Sequence, residues 1–119
     1  MITKDTLPQL LALLGFSSSG KSFRKMFGDA EIVVDFNEKS IAYPKAIKIH
    51  DTTTCNFSAN ENFVVLECVC RLLEKGYKPE HIELEPKWKL GHGASGGRAD
   101  ILVKDNAGKT LLLIECKTS

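Results

Sequence analysis

Apolar positions near the start of the chain follow a helical period. Leu7, Leu10, Leu11 and Leu14 recur at helical spacing, behind Thr6 as a capping residue and with Pro8 in the first turn, where proline is tolerated. Gly15 then occupies the place of the glycine that commonly ends a helix. The pattern next alternates over residues 31–36 and 40–43, joined by Asn37-Glu38-Lys39, and this predicts a β-hairpin. Residues 44–56 read as a connector with a short strand over 47–49. The helical period returns after Ser58, which forms an S-x-x-E capping box with Glu61, and the predicted helix runs to Lys75, with Gly76 ending it and Pro79 beyond. Three strands are predicted next, over 81–85, 98–105 and 110–118. The last two are separated by Asn106-Ala107-Gly108-Lys109, whose residues suit a hairpin turn. The order is helix, hairpin, helix and three strands, which is an α+β (mixed α/β) domain.

Composition narrows the class without choosing a function. The 119 residues allow one domain with a modest core, and 43% hydrophobic with 26% charged residues is ordinary for a globular protein. A net charge of +1 argues neither for nor against nucleic acid, because a basic patch can be local. No apolar run approaches the ~18 residues that span a bilayer, so the sequence reads as cytoplasmic with no membrane partner. Cys55, Cys68, Cys70 and Cys116 form no C-x-x-C pair and read as reduced thiols. A zinc site using His50 and Cys55 lacks paired ligand spacing.

Two glycine motifs invite a nucleotide reading, and both lack the right flanks. GFSSSGKS, residues 15–22, fits the phosphate-loop pattern G-x-x-x-x-G-K-[ST] with Gly15, Gly20, Lys21 and Ser22. A phosphate loop needs a strand before it and a helix after it. Here a helix precedes, fewer than two turns follow before Gly28, and the stretch reads as a polar loop. GHGASG, residues 91–96, fits G-x-G-x-x-G but leads into a strand, whereas the dinucleotide fingerprint opens a helix. It reads as a loop.

The chemistry concentrates in RADILVKDNAGKTLLLIECKTS. In the last predicted strand Leu111, Leu113, Glu115 and Lys117 share one side, and Leu112, Ile114 and Cys116 share the other. With apolar residues on both sides, the strand is expected to be buried on both faces. A turn centred on Ala107-Gly108 places Asp100 opposite Glu115 and Arg98 opposite Lys117. Two facing carboxylates destabilise a sheet, and a divalent cation resolves the conflict, since Mg²⁺ takes carboxylate and carbonyl oxygens and keeps water or phosphate in its other positions. Glu61 shares a helix face with Val65, Cys68 and Leu72, the face expected to pack on the sheet, while Glu67, Arg71 and Glu74 face solvent. Glu83 and Glu85 are expected on an exposed strand face, with supporting acids beside the site as the alternative. His92 and Arg98 flank this pair of strands, where phosphate contacts and ordinary loop and strand-edge roles are equally open.

Asp100, followed after the hairpin by Glu115-Cys116-Lys117, resembles the D…(D/E)-x-K signature of the PD-(D/E)XK nuclease superfamily. The wider stretch from about residue 56, ENFVVLECVCRLLEKGY…HIELE…GGRADILVKD…LLLIECKTS, is similar to the N-terminal nuclease domain of type I restriction enzyme R subunits and related single-chain restriction enzymes. Ala99 stands where the proline of the historical name would be. The resemblance implies a restriction-endonuclease-like core over 56–119 with a helix-and-hairpin extension over 1–55, in the N-terminal fragment of a longer protein, since the family core continues past Lys117 with another helix and strand. It implies that Asp100, Glu115, the Cys116 main-chain carbonyl and Glu61 bind Mg²⁺, with Mn²⁺ as a substitute, and that Lys117 positions or activates the attacking water. The partners it implies are double-stranded DNA and the methyltransferase and specificity subunits of a restriction-modification system, with ATP used only by a downstream motor. A non-catalytic DNA-binding or assembly module is the alternative.

Overall fold

The computed structural model describes residues 2–86 and 99–117. Helix α1 spans Leu7–Leu13, with Thr6 as its N-cap and Pro8 in its first turn. The Thr6 hydroxyl bonds with Thr3 rather than with the helix. Its C-terminus closes with paired bonds, Gly15 N–H to the Ala12 carbonyl at 3.1 Å and Phe16 N–H to Leu11 at 2.9 Å. Gly15 has φ +92°, a conformation that favours glycine, so the helix end accounts for this residue.

A four-stranded antiparallel meander follows: β1 (Ser17–Ser19), β2 (Ser22–Phe27), β3 (Ala30–Asp35) and β4 (Ser40–Ala42), in that spatial order. The expected β3–β4 hairpin is present, but the polar loop expected over GFSSSGKS is itself a hairpin. Ser19 pairs with Ser22 across a turn in which Gly20 has φ +62°, as a type II′ turn requires at its first central position. Thus a helix enters GFSSSGKS and a strand leaves it, the opposite of a phosphate loop. Serine-rich β1 is exposed along its length, which removes the apolar alternation that would have signalled a strand.

The second sheet has the order β5 (Lys48–Ile49), β6 (Ile82–Leu84), β7 (Ile101–Lys104) and β8 (Thr110–Ile114). The three expected strands pair antiparallel, and β5 adds a fourth strand parallel to β6. Between β5 and β6 in sequence lie a 3-10 turn, Thr52–Cys55, and helix α2, Glu61–Glu74. The capping box does not form: Asn60 is the N-cap, the helix starts at Glu61, and the Ser58 N–H is held by the Asn56 side chain at 2.8 Å. The helix cannot start at Ser58 while Asn56 holds that backbone in a turn of its own. The α2 C-terminus repeats the α1 ending, with Gly76 N–H on Leu73 and Tyr77 N–H on Leu72.

Helix α2 buries Phe63, Val65, Leu66, Val69, Cys70, Leu72 and Leu73, about half of its circumference. So wide a stripe has two neighbours to cover. One is the second sheet, through Ile82, Leu84, Ile101 and Val103, and the other is the N-terminal unit, through Leu7, Leu11, Phe16, Ile32, Val34, Ile41 and Tyr43, all in one hydrophobic cluster. Aromatic rings continue the contact from β2 to α2: Phe23–Phe36 at 5.4 Å, Phe36–Phe57 at 5.3 Å and Phe57–Phe63 at 5.1 Å between centroids. Lys25 adds a polar tie. Its ammonium bonds the Leu14 carbonyl at 2.6 Å, pairs with Glu74 in the last turn of α2, and lies 4.8 Å from the Phe27 ring centroid. The fold is therefore mixed α+β, with two helices and two sheets among the described residues. No helix there is long and apolar enough to cross a membrane.

Candidate active site at the head of strand β7

Asp100 immediately precedes β7 and is fixed from three directions. Its N–H donates to the Ile114 carbonyl at 2.9 Å, and its carbonyl accepts the Glu85 N–H at 2.8 Å. Its carboxylate accepts the Cys116 N–H at 2.6 Å. The residue is only 3% exposed, and a carboxylate so buried is stable when hydrogen-bonded. Glu85 meets it with φ +51°, a conformation uncommon for a residue other than glycine. That backbone turn lets the Glu85 N–H bond the Asp100 carbonyl beyond the last β6 pair.

The expected register holds for Ile101–Ile114, Leu102–Leu113 and Val103–Leu112, and a bulge then shifts Lys104 onto Thr110. Beyond Ile101 the ladder slips, since Asp100 bonds Ile114 and Cys116 rather than continuing into Glu115. Glu115 and Lys117 follow the end of β8 and are exposed, on either side of buried Cys116. The expectation that this strand is buried on both faces is overturned: Leu111, Leu112 and Leu113 are 51%, 37% and 49% exposed. Among the described residues strand β8 is the edge of its sheet, and the hydrophobic cluster reaches only Ile114 and Cys116 at its end. Glu115 and Lys117 therefore avoid the desolvation that the sequence argument assigned to them.

Glu61 opens α2 and is half-buried at the rim of the buried stripe. Cys68, two turns along the same face, exchanges a thiol hydrogen bond with Cys116. That bond, burial, the Cys68 charge, and then the Asp100 and Glu61 carboxylates hold the Cys116 thiol well above the ordinary thiol range. Cys68 is displaced downward, chiefly by the bond from Cys116. Two acids from different elements, Asp100 and Glu61, thus act on one thiol at the end of β8. The expected face with Val65, Cys68 and Leu72 is one margin of the buried stripe, which centres on Leu66, Val69 and Leu73. Glu67 and Arg71 pair with each other at 2.6 Å on the outer face.

No three His, Cys, Asp or Glu side chains converge as a metal cage among the described residues. Mg²⁺ does not need such a cage, because it keeps several waters and commonly takes one or two carboxylates. Asp100 and Glu61 offer the hard carboxylate oxygens that Mg²⁺ or Mn²⁺ takes, beside the softer free thiols of Cys68 and Cys116. His92, Arg98 and GHGASG lie outside the described residues.

A second polar cluster was not anticipated. Glu83 is 9% exposed rather than on an open strand face. The His50 Nε2–H donates to its Oε1 at 2.8 Å, and the Lys104 ammonium pairs with Oε2. Only the register of β5, β6 and β7 brings these residues together; in sequence they are far apart. Burial pushes the Glu83 carboxyl up, but hydrogen bonds from Lys104 and His50 outweigh it and hold it below its ordinary value of 4.5. A carboxylate depressed by folding stabilises the fold above the ordinary value, and that stability is lost as pH falls through the folded value. Glu83→Gln should therefore cost about 1–2 kcal/mol at neutral pH. It should also flatten the acid limb of the stability curve below pH 4.5, which urea unfolding at a series of pH values measures. An unchanged acid limb would remove Glu83 as its source. The cysteines are all free, and burial pushes the Cys70 thiol up to about 12. The buried hydroxyls of Tyr43 and Thr54 have no hydrogen-bond partner among the described residues.

No family model matches the chain, and no curated protein matches it.

Proposed function

We propose that this chain is a metal-dependent DNA endonuclease domain of the PD-(D/E)XK type, the hydrolytic part of an ATP-dependent restriction enzyme. The observation that carries the reading is the position of Asp100. It is a buried carboxylate clamped by β6, β8 and the Cys116 amide, with exposed Glu115 and Lys117 on either side of that cysteine. Glu61 opens helix α2 at the rim of its buried stripe.

In this reading Asp100 and Glu115 would hold Mg²⁺ together with the Cys116 carbonyl, with Glu61 near the ion as a further acid. When bound, the ion would supply Lewis acidity toward the scissile phosphate and the attacking water. The protein's own contribution is positional. The Cys116 N–H fixes one Asp100 oxygen and so orients the other. Lys117, free of the sheet ladder, donates to the attacking water and to the phosphate oxygen on which charge develops. Exposure of Glu115 and Lys117 suits a site that must meet a double helix from outside. A cytoplasmic restriction system with methyltransferase and specificity subunits, and with ATP hydrolysis in other domains, completes the proposal.

A second reading is a non-catalytic DNA-binding or assembly module. It is favoured by the absence, among the described residues, of a three-ligand cluster. A calorimetric Mn²⁺ titration of the chain beside Glu115→Ala separates the two. Binding near one equivalent that disappears in the variant is the expected outcome. Equal binding in both would place the ion elsewhere and count against the nuclease site, whereas no binding in either favours the module.

A further inference from the structure

The described residues present four sheet edges, and three are blunted. Strand β1 is three serines, β5 has two residues, and three-residue β4 is partly covered by a bridge from Ser40 to Asn56. Natural edge strands are usually kept short, charged or covered, because an open ladder recruits other strands. Strand β8 breaks this pattern. It is five residues long, reads TLLLI without charge or proline, and exposes leucines on both faces. The single interruption is the bulge at its hairpin end. A run of exposed apolar residues on an open edge is the signature of an interaction surface.

The flanking charges select the partner. Exposed Lys109 precedes the strand and exposed Glu115 follows it. Two copies paired parallel would bring Lys109 to Lys109 and Glu115 to Glu115. Paired antiparallel about Leu112, each copy brings its Lys109 end to the Glu115 end of the other, and Leu111 meets Leu113. Re-centring on Leu113 would place Lys109 against Lys117, so charge also disfavours that register. Opposite charges across a sheet stabilise pairing and like charges oppose it. We infer that β8 joins a second copy of this chain in an antiparallel, two-fold symmetric pairing that makes one continuous eight-stranded sheet. The pairing shares Glu115 with the nuclease reading and competes with it for that carboxylate; it rests on the open edge and the flanking charges alone.

The test is sedimentation equilibrium of the intact chain and of two charge variants. Wild type should form a dimer with a dissociation constant in the range of ~1–50 µM. Lys109→Glu and Glu115→Lys should each weaken it about tenfold or more, because each sets like charges against one another at two symmetric places. Mixing the two variants should restore dimer as a heterodimer, since both places then carry opposite charges. Leu113→Lys should be monomeric and melt as wild type does when diluted below its dissociation constant, as expected for an exposed position. A wild type monomeric at on the order of 100 µM, a mixture no tighter than its parts, or species larger than a dimer would each overturn the proposal. The first result would assign the edge to a strand of another polypeptide.

Discussion

Asp100→Asn should reduce metal-dependent cleavage of plasmid DNA by about a hundredfold or more while leaving the protein folded. Asparagine matches the shape of aspartate, and its amide oxygen still accepts the Cys116 N–H that the carboxylate holds at 2.6 Å. The backbone bonds to Ile114 and Glu85 are untouched. What disappears is the negative charge, which is the property a hard cation requires. The variant should therefore melt within a few degrees of wild type yet lack the Mn²⁺ equivalent expected of wild type in calorimetry. Asp100→Ala is a poorer probe, because it strands the buried Cys116 amide and confuses misfolding with lost chemistry. Wild-type rates of Mg²⁺-dependent cleavage by Asp100→Asn would exclude Asp100 from the site and with it the proposed mechanism.

The second large effect concerns stability. Phe63→Ala should cost about 3–5 kcal/mol, lowering the melting temperature by roughly 10–20 °C. Phe63 is fully buried, and its ring meets Phe57 edge-on at 5.1 Å, at the end of the aromatic series that starts on β2. Truncation opens a cavity between the helix and the N-terminal unit, where neither sheet can follow without breaking its own ladder. With typical domain stabilities of about 5–15 kcal/mol, such a loss leaves much of the protein unfolded near 37 °C. Calorimetric melting checks the magnitude, and a change below about 1 kcal/mol would mean that the interface between α2 and the N-terminal unit contributes little.

The parts of this fold that were legible in the sequence are those governed by local physics. Helix α2 announces itself by period, and Gly15 and Gly76 mark both helix ends because their backbone conformation is costly for other residues. The β7–β8 hairpin follows from its turn residues and alternation. What escaped depends on neighbours far away in sequence. Strand β1 is all serine, so its pairing with β2 leaves no hydrophobic trace. Glu83 looks like a surface residue until β5 and β7 deliver His50 and Lys104 to it. Ser58 and Glu61 have the letters of a capping box, but Asn56 captures the Ser58 amide first. The candidate site divides in the same way. Asp100 could be placed near the end of β8 from the hairpin register, and Glu61 on the inward face of α2 from its period. Whether Glu115 is buried depends on β8 being an edge, which alternation along one strand cannot reveal.

The two sheets also differ in how far their chain must travel to close them. The meander β1–β4 is joined by turns of a few residues, so each strand pairs with one just formed. The second sheet instead joins Lys48 to Glu83 and Ile82 to Val103, contacts that bring together distant parts of the chain. Loop-closure entropy makes such contacts late events in folding. The N-terminal meander can therefore assemble early, as the ribosome delivers it, and give the emerging α2 a surface to settle on. The ring of bonds around Asp100, which needs β6, β8 and Cys116 together, closes last.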